Sequence, residues 1–444
     1  MSKQNQWLWD ESRKWEQKGL VTGQQGDQIR ALYPKPAGAL PWSMMIFSGL
    51  GAVIAGMGII LMIAYNWQSL HKFAKLGLIL GGIAGLHAGG IKLRHGSDRW
   101  KQLGEALCLL GTMLFGAGIW LVAQIYHIEE HFPNGFLIWG VGALALAWAM
   151  PSLMQGALAA VVLCIWGSSE AWGFHQTIPW APFLVLAGTG LLAWRLRSPF
   201  LLFITLAAFC LSLGANVSVL EGGLVFRVLL NCAVVFVAIS VLAGRGSWFP
   251  ESVRIWAMFG WLGFLLCLYL LGFSEITEDL LARRTLAAQS GTWLARLFEW
   301  GPLVLTTCLW GVIGWVTKGR IESATAPEAP KFELWLLPMT AVLCQVLAFS
   351  TLAKGDWGVT AAFNLVFLAL AVAWMVRGCR EGLSQPMVMG SLLVVALVVA
   401  RYFDLFESLA LRGAIFLVVG ALFFIEGILF RRARRRTQAE EVRS

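Results

Sequence analysis

Apolar residues in this chain come in long unbroken blocks separated by short polar stretches. A helix rising 1.5 Å per residue needs about twenty residues to cross roughly 30 Å of hydrocarbon, and the blocks have that length. They predict spans near residues 43–65, 76–93, 103–123, 135–150, 152–168, 180–195, 199–219, 224–244, 253–273, 301–317, 334–353, 357–376, 386–400 and 412–430. The expected fold is all-α: a polytopic transmembrane helix bundle of about 14 spans at residues 41–430, preceded by a short cytosolic helical hairpin.

The hairpin is predicted within residues 1–40. NQWLWDESRKWEQKG reads as a helix with Trp7, Leu8 and Trp15 on one side and Gly19 as its stop. A second helix starts after Thr22, which has capping-box spacing to Gln25, and Pro34 ends it. Two short helices bury little core, so their apolar stripe is expected to dock on the membrane surface or on cytosolic loops. Residues 274–300 are too charged to span and read as an amphipathic helix on the outer surface. The PSLMQ stretch at 151–155 joins two spans almost without a loop.

Gly77, Gly81, Gly85 and Gly89 recur every fourth residue along the second span and line one helix face, the pattern that lets two helices approach backbone to backbone. VAQIYHI at 122–128 and VARYFDL at 399–405 each precede a similar apolar run, a faint internal echo of the kind found in transporters.

Composition agrees with the pattern. The chain is 58% hydrophobic and 13% charged, against roughly 45–50% and 25% in soluble domains. Many of its 23 Trp fall at block edges (Trp42, Trp67, Trp120, Trp139, Trp180, Trp357), where indole suits the headgroup layer. The net charge of +9 does not point to nucleic acid, because six basic residues sit in the 431–444 tail after the last block. With the start placed inside, 25 of the 34 Lys and Arg fall on the cytosolic side, which orients both termini there. No cleavable leader is expected, since the first apolar run begins near Trp42 after a charged stretch. The eight Cys are scattered without a CxxC pair and read as small hydrophobes.

The densest polar cluster is IYHIEEHFPNG at 125–135. His127, Glu129, Glu130 and His131 are a candidate ion or proton site, with His127 and His131 on one face if the preceding helix continues. HxxEH is also the spacing of two zinc ligands and a general base, but Pro133, Asn134 and Gly135 stop a helix at once and no third ligand is identifiable. A solvated loop anchored by Tyr126 is the plainer alternative. Within the spans, His87 is the costliest polar residue and must face a helix or cavity. Arg227 with Asn231 at i, i+4, and Arg401 with Asp404, read either as anchoring pairs or as sites for an anionic solute. Asn216, Gln345 and Asn364 are candidate interhelical hydrogen-bonding groups, and Glu105 and Glu426, near cytosolic ends, should snorkel or pair with basic neighbours such as Arg431. Phosphate-binding glycine loops are absent, and no soluble region is large enough for a nucleotide domain.

The order of WEQKGLVTGQQGDQIRALY, YNWQSL, HKFAKLG, AQIYHIEEHFPNGFLIWG and RYFDLFESLALRGAIFLVVGAL resembles the bacterial membrane family called domain of unknown function 2157. That resemblance implies an inner-membrane protein and supplies neither catalytic residues nor a substrate. The leading functional expectation is transport of a small solute or ion, by a carrier or a channel, with no cofactor and with the lipid bilayer as surroundings. A non-transporting scaffold or sensor is the alternative, and an intramembrane enzyme acting on lipid or lipid-linked sugar is a third.

Overall fold

A computed structural model describes residues 3–32, 71–96, 100–127, 131–220, 222–244, 249–277, 293–321, 332–349, 357–404, 417, 420 and 421. The predicted first span at 43–65 and the basic tail at 431–444 lie outside them, as does nearly all of the span at 412–430. The chain divides into two units, residues 1–78 and 79–444.

In the first unit, α1 (Lys3–Gln17) and α2 (Gly23–Ala31) form the expected hairpin. Gly19 takes a left-handed φ of 69°, which a residue without Cβ adopts freely. Thr22 caps α2 in a reciprocal box: its hydroxyl accepts from the Gln25 amide at 3.4 Å, and its own amide donates to Gln25 Oε1 at 3.0 Å. Arg30 ties the helices together by donating two bonds of 3.0 Å to Glu16 Oε2, and it also reaches Asp27 at 2.8 Å. These bonds, to Asp27 first and Glu16 second, hold the guanidinium above its ordinary pKa.

Every further described element is helical: α3 (Lys72–His95), α4 (Lys101–Tyr126), α5 (Pro133–Ala149), α6 (Leu153–Phe174), α7 (Ala181–Leu196), α8 (Pro199–Leu220), α9 (Gly222–Ala243), α10 (Ser252–Leu270), α11 (Trp293–Ile321), α12 (Phe332–Phe349), α13 (Trp357–Glu381) and α14 (Ser384–Asp404). They coincide with twelve of the predicted spans. Seven of these helices are long and apolar enough to cross a membrane, and α5, α7, α11, α12 and α14 contain shorter apolar stretches. Residues 293–300, part of the stretch read as an outer-surface helix, are the opening turns of α11, which continues to Ile321 without a break. Residues 274–277 form a helical turn, and 278–292 are outside the described set.

Consecutive helices pack side by side, most extensively α9 with α10, α5 with α6 and α13 with α14. α9 is the most enclosed of the seven candidate spans and touches α8, α10, α11 and α12. Two apolar cores meet on it. One joins Leu230, Val234 and Val237 to Phe264, Trp310 and Phe363; the other joins Val228 and Phe236 to Leu206 and Phe209 of α8. Outward-facing side chains such as Leu262, Trp315 and Leu365 are also large and apolar. In water such a surface would aggregate, whereas in lipid it costs nothing.

Gly90 and Gly104 bring α3 and α4 into backbone contact: a Cβ on Gly90 would lie 2.8 Å from the Gly104 carbonyl oxygen, and one on Gly104 2.6 Å from the Gly90 oxygen. Small residues permit this approach. The regular glycine stripe faces another way. Among the described residues, nothing lies within 4 Å of a Cβ at Gly81 or Gly85, and Gly89 meets Leu107 at 4.0 Å. Trp139 is not at a helix edge but inside α5, its ring pressed flat on Gly116 and edge-on to Trp120. α7 carries a π-helical segment at Leu186–Gly190, beside which Trp148 Nε1 donates to the Gly188 carbonyl at 2.9 Å.

Candidate functional site

Three buried polar groups stand out in an otherwise apolar bundle. The first lies between α3, α4 and α6. His87 Nδ1 donates to the Ile83 carbonyl at 2.9 Å, and Nε2 lies 3.3 Å from Thr112 Oγ1. Gln155 Nε2 donates to the same hydroxyl oxygen at 3.0 Å, and the Cys108 carbonyl, also 3.0 Å away, can accept its proton. The imidazole sits on Gly111, where a Cβ would fall 2.6 Å from the ring. His87 therefore faces neighbouring helices, as the cost of a polar side chain in lipid requires. Thr112 and Gln155 went unremarked in the sequence; a Gln opening an apolar block was the available signal.

The second group joins a histidine to a buried carboxylate. α4 ends at Tyr126, and His127 closes it in the left-handed conformation at φ 53°. The helix does not continue, so His127 and His131 share no helical face. His127 is exposed, and Glu129 and Glu130 lie outside the described residues. His131 turns to α6 instead, where its Nε2–H donates to Glu170 Oε2 at 2.8 Å. Glu170 is 4% exposed and His131 30%, and the Phe174 ring stands edge-on to the imidazole at 4.1 Å. A carboxylate this deep is costly without a charged or donating partner, which His131 provides. Glu170, within the apolar run of α6, was the sequence signal for this pair. Among the described residues, no three His, Cys, Asp or Glu side chains are grouped to hold a metal.

The third group centres on α9. Arg227 is 5% exposed and Asn231 2%. Asn231 Nδ2 donates to the Arg227 carbonyl at 2.8 Å, while its Oδ1 accepts from Thr306 of α11 at 3.0 Å. α12, which packs against α9, carries the buried polar residues Thr340 and Gln345. This arrangement puts a permanent positive charge and neutral hydrogen-bonding groups inside the most enclosed span. Guanidinium, amide and hydroxyl groups of this kind can orient an anion.

The remaining polar candidates are placed as follows. Asn216 links α8 to α6 and to the following loop by donating to the Gly167 carbonyl at 3.3 Å and accepting from the Ile178 amide at 2.7 Å. Asn364 of α13 donates to the Gly272 carbonyl at 3.1 Å. Glu105 pairs with Arg94 at 3.7 Å, and Arg94 also donates to the Pro151 carbonyl at 2.9 Å, which fixes the tight turn between α5 and α6. Arg401 and Asp404 fall in the last turn of α14, away in sequence from all three groups, and Glu426 is outside the described residues.

Residues 13–156 match the model of a family described as predicted membrane protein, DUF2157, the family whose features the sequence resembles. The match includes His87, Thr112 and Gln155 and stops before Glu170 and Arg227. No curated protein and no solved structure matches the chain.

Proposed function

We propose that this protein is a multispanning inner-membrane protein, with both termini in the cytosol, that moves a small anionic solute across the bilayer. One observation carries the reading: Arg227 is a buried guanidinium on the most enclosed apolar helix, beside Asn231 and Thr306. Burying a permanent cation among apolar helices is expensive, and such residues mark solute pathways in membrane proteins. An anion passing here would meet the guanidinium together with the neighbouring hydroxyl and amide groups. The excess of Lys and Arg on one side of the predicted spans supports the orientation.

The test is flux into liposomes containing the purified full-length protein, with chloride, inorganic phosphate and a short carboxylate as probes. Anion entry above that of empty vesicles, lost in Arg227→Gln and retained in part in Arg227→Lys, is the expected result. Protein-containing vesicles as tight as empty ones to every probe would refute transport of these anions and turn attention to the scaffold or sensor reading. Purification with a stoichiometric protein partner, unaffected by Arg227→Gln, would then favour that alternative.

A further inference from the structure

The hydrogen-bond arithmetic around His87 leads to a second site, in different helices from Arg227 and independent of the transport reading. Nδ1 faces the Ile83 carbonyl, which can only accept, so Nδ1 carries a proton. Thr112 has one hydroxyl proton and two possible acceptors, the Cys108 carbonyl and a bare His87 Nε2. Its oxygen already accepts from Gln155 and has a second lone pair free.

Two complete arrangements follow on the same heavy atoms. In the first, His87 is neutral and Thr112 donates to Nε2. In the second, Nε2 has taken up a proton and donates to Thr112, which turns its own proton to the Cys108 carbonyl. They differ by one proton on Nε2 and a rotation of the Thr112 hydroxyl. A further observation marks the site as unsaturated: Gln155 is 2% exposed, and its Oε1 has no hydrogen-bond partner among the described residues. An orphaned buried acceptor costs about 1–3 kcal/mol.

We infer that His87, Thr112 and Gln155 form a proton-binding site inside the bundle, with Thr112 as the hydroxyl that reverses its donor role when His87 is charged. Among the described residues, Cys108 of α4 adjoins the site through its carbonyl, and Glu105 of α4 and Arg94 of α3, paired with each other, lie near Cys108. α6 contributes the neutral Gln155. The proton comes from water, forms an N–H bond at Nε2 and leaves by the same bond; no other bond changes.

The experiment is nitrogen NMR of full-length protein labelled with ¹⁵N-histidine, in lipid nanodiscs, from about pH 8 to pH 5, the range in which imidazoles ordinarily titrate. His87→Asn identifies the signals by removing them. In the wild type the His87 ring is expected to pass from one protonated nitrogen to two as pH falls. Thr112→Val removes both the donor to neutral Nε2 and the acceptor of the charged Nε2–H; the charge-assisted bond is the stronger, so the midpoint should fall by about half a pH unit, a roughly threefold loss of proton affinity. Thr112→Ser keeps the hydroxyl and should restore the wild-type midpoint. A His87 ring with one proton throughout, or a midpoint indifferent to Thr112→Val, overturns the proposal. If the Thr112 variants do not fold, the wild-type titration alone decides.

Discussion

Replacing Gly90 by alanine tests the close approach of α3 and α4. The added methyl would lie 2.6 Å from Cys108 Sγ, 2.8 Å from the Gly104 carbonyl oxygen and 2.9 Å from the Cys108 amide nitrogen. Two of these are backbone atoms of α4 and cannot rotate aside. The helices must therefore separate by several tenths of an ångström, and overpacking of this kind costs about 1–3 kcal/mol. Alanine also favours the helix over glycine by about 0.8–1 kcal/mol. That second effect can be removed by comparison with Gly311→Ala in α11, where among the described residues a Cβ meets nothing within 4 Å. Both variants gain the same propensity, so their difference isolates the steric cost, expected at about 1–3 kcal/mol against Gly90→Ala. Reversible unfolding in mixed detergent micelles, followed by tryptophan fluorescence, measures it. If Gly90→Ala is as stable as Gly311→Ala, the two backbones do not meet as described and the reasoning fails.

Two further outcomes concern other parts of the chain. His131→Ala leaves the Glu170 carboxylate buried without its donor and should destabilise by about 1–3 kcal/mol; adding Glu170→Ala should recover part of the loss, and a double variant worse than the single one by thermal unfolding would contradict the pairing. Thr22→Ala removes one half of the capping box and should weaken α2 by about 1 kcal/mol, read as faster hydrogen exchange at the amides of residues 23–26 with exchange in α8 unchanged; equal exchange in both proteins would show the cap to be idle.

Much of the helical framework was legible without coordinates because lipid imposes its conditions locally. Each crossing segment must satisfy its own backbone and be apolar for about twenty residues, so a block such as 199–219 announces α8 by length and composition. The hairpin was equally legible, since the Thr22–Gln25 box and the Gly19 stop act over three or four residues. Partners across helices were not. That His131 would seek Glu170, 39 positions away, depends on α4 ending at His127 and on the rotation of α6, and neither follows from any local pattern. The glycines show the same limit: spacing picks out a stripe at Gly77, Gly81, Gly85 and Gly89, but which segment a helix face meets is a tertiary matter, as the approach of Gly90 to Gly104 illustrates. Sequence determined by itself that this chain builds membrane-length helices and a capped hairpin, because those demands are met within one segment. Only the tertiary structure decided which buried polar groups meet, because a helix can turn any of its faces to a neighbour and the packing of all of them together selects one.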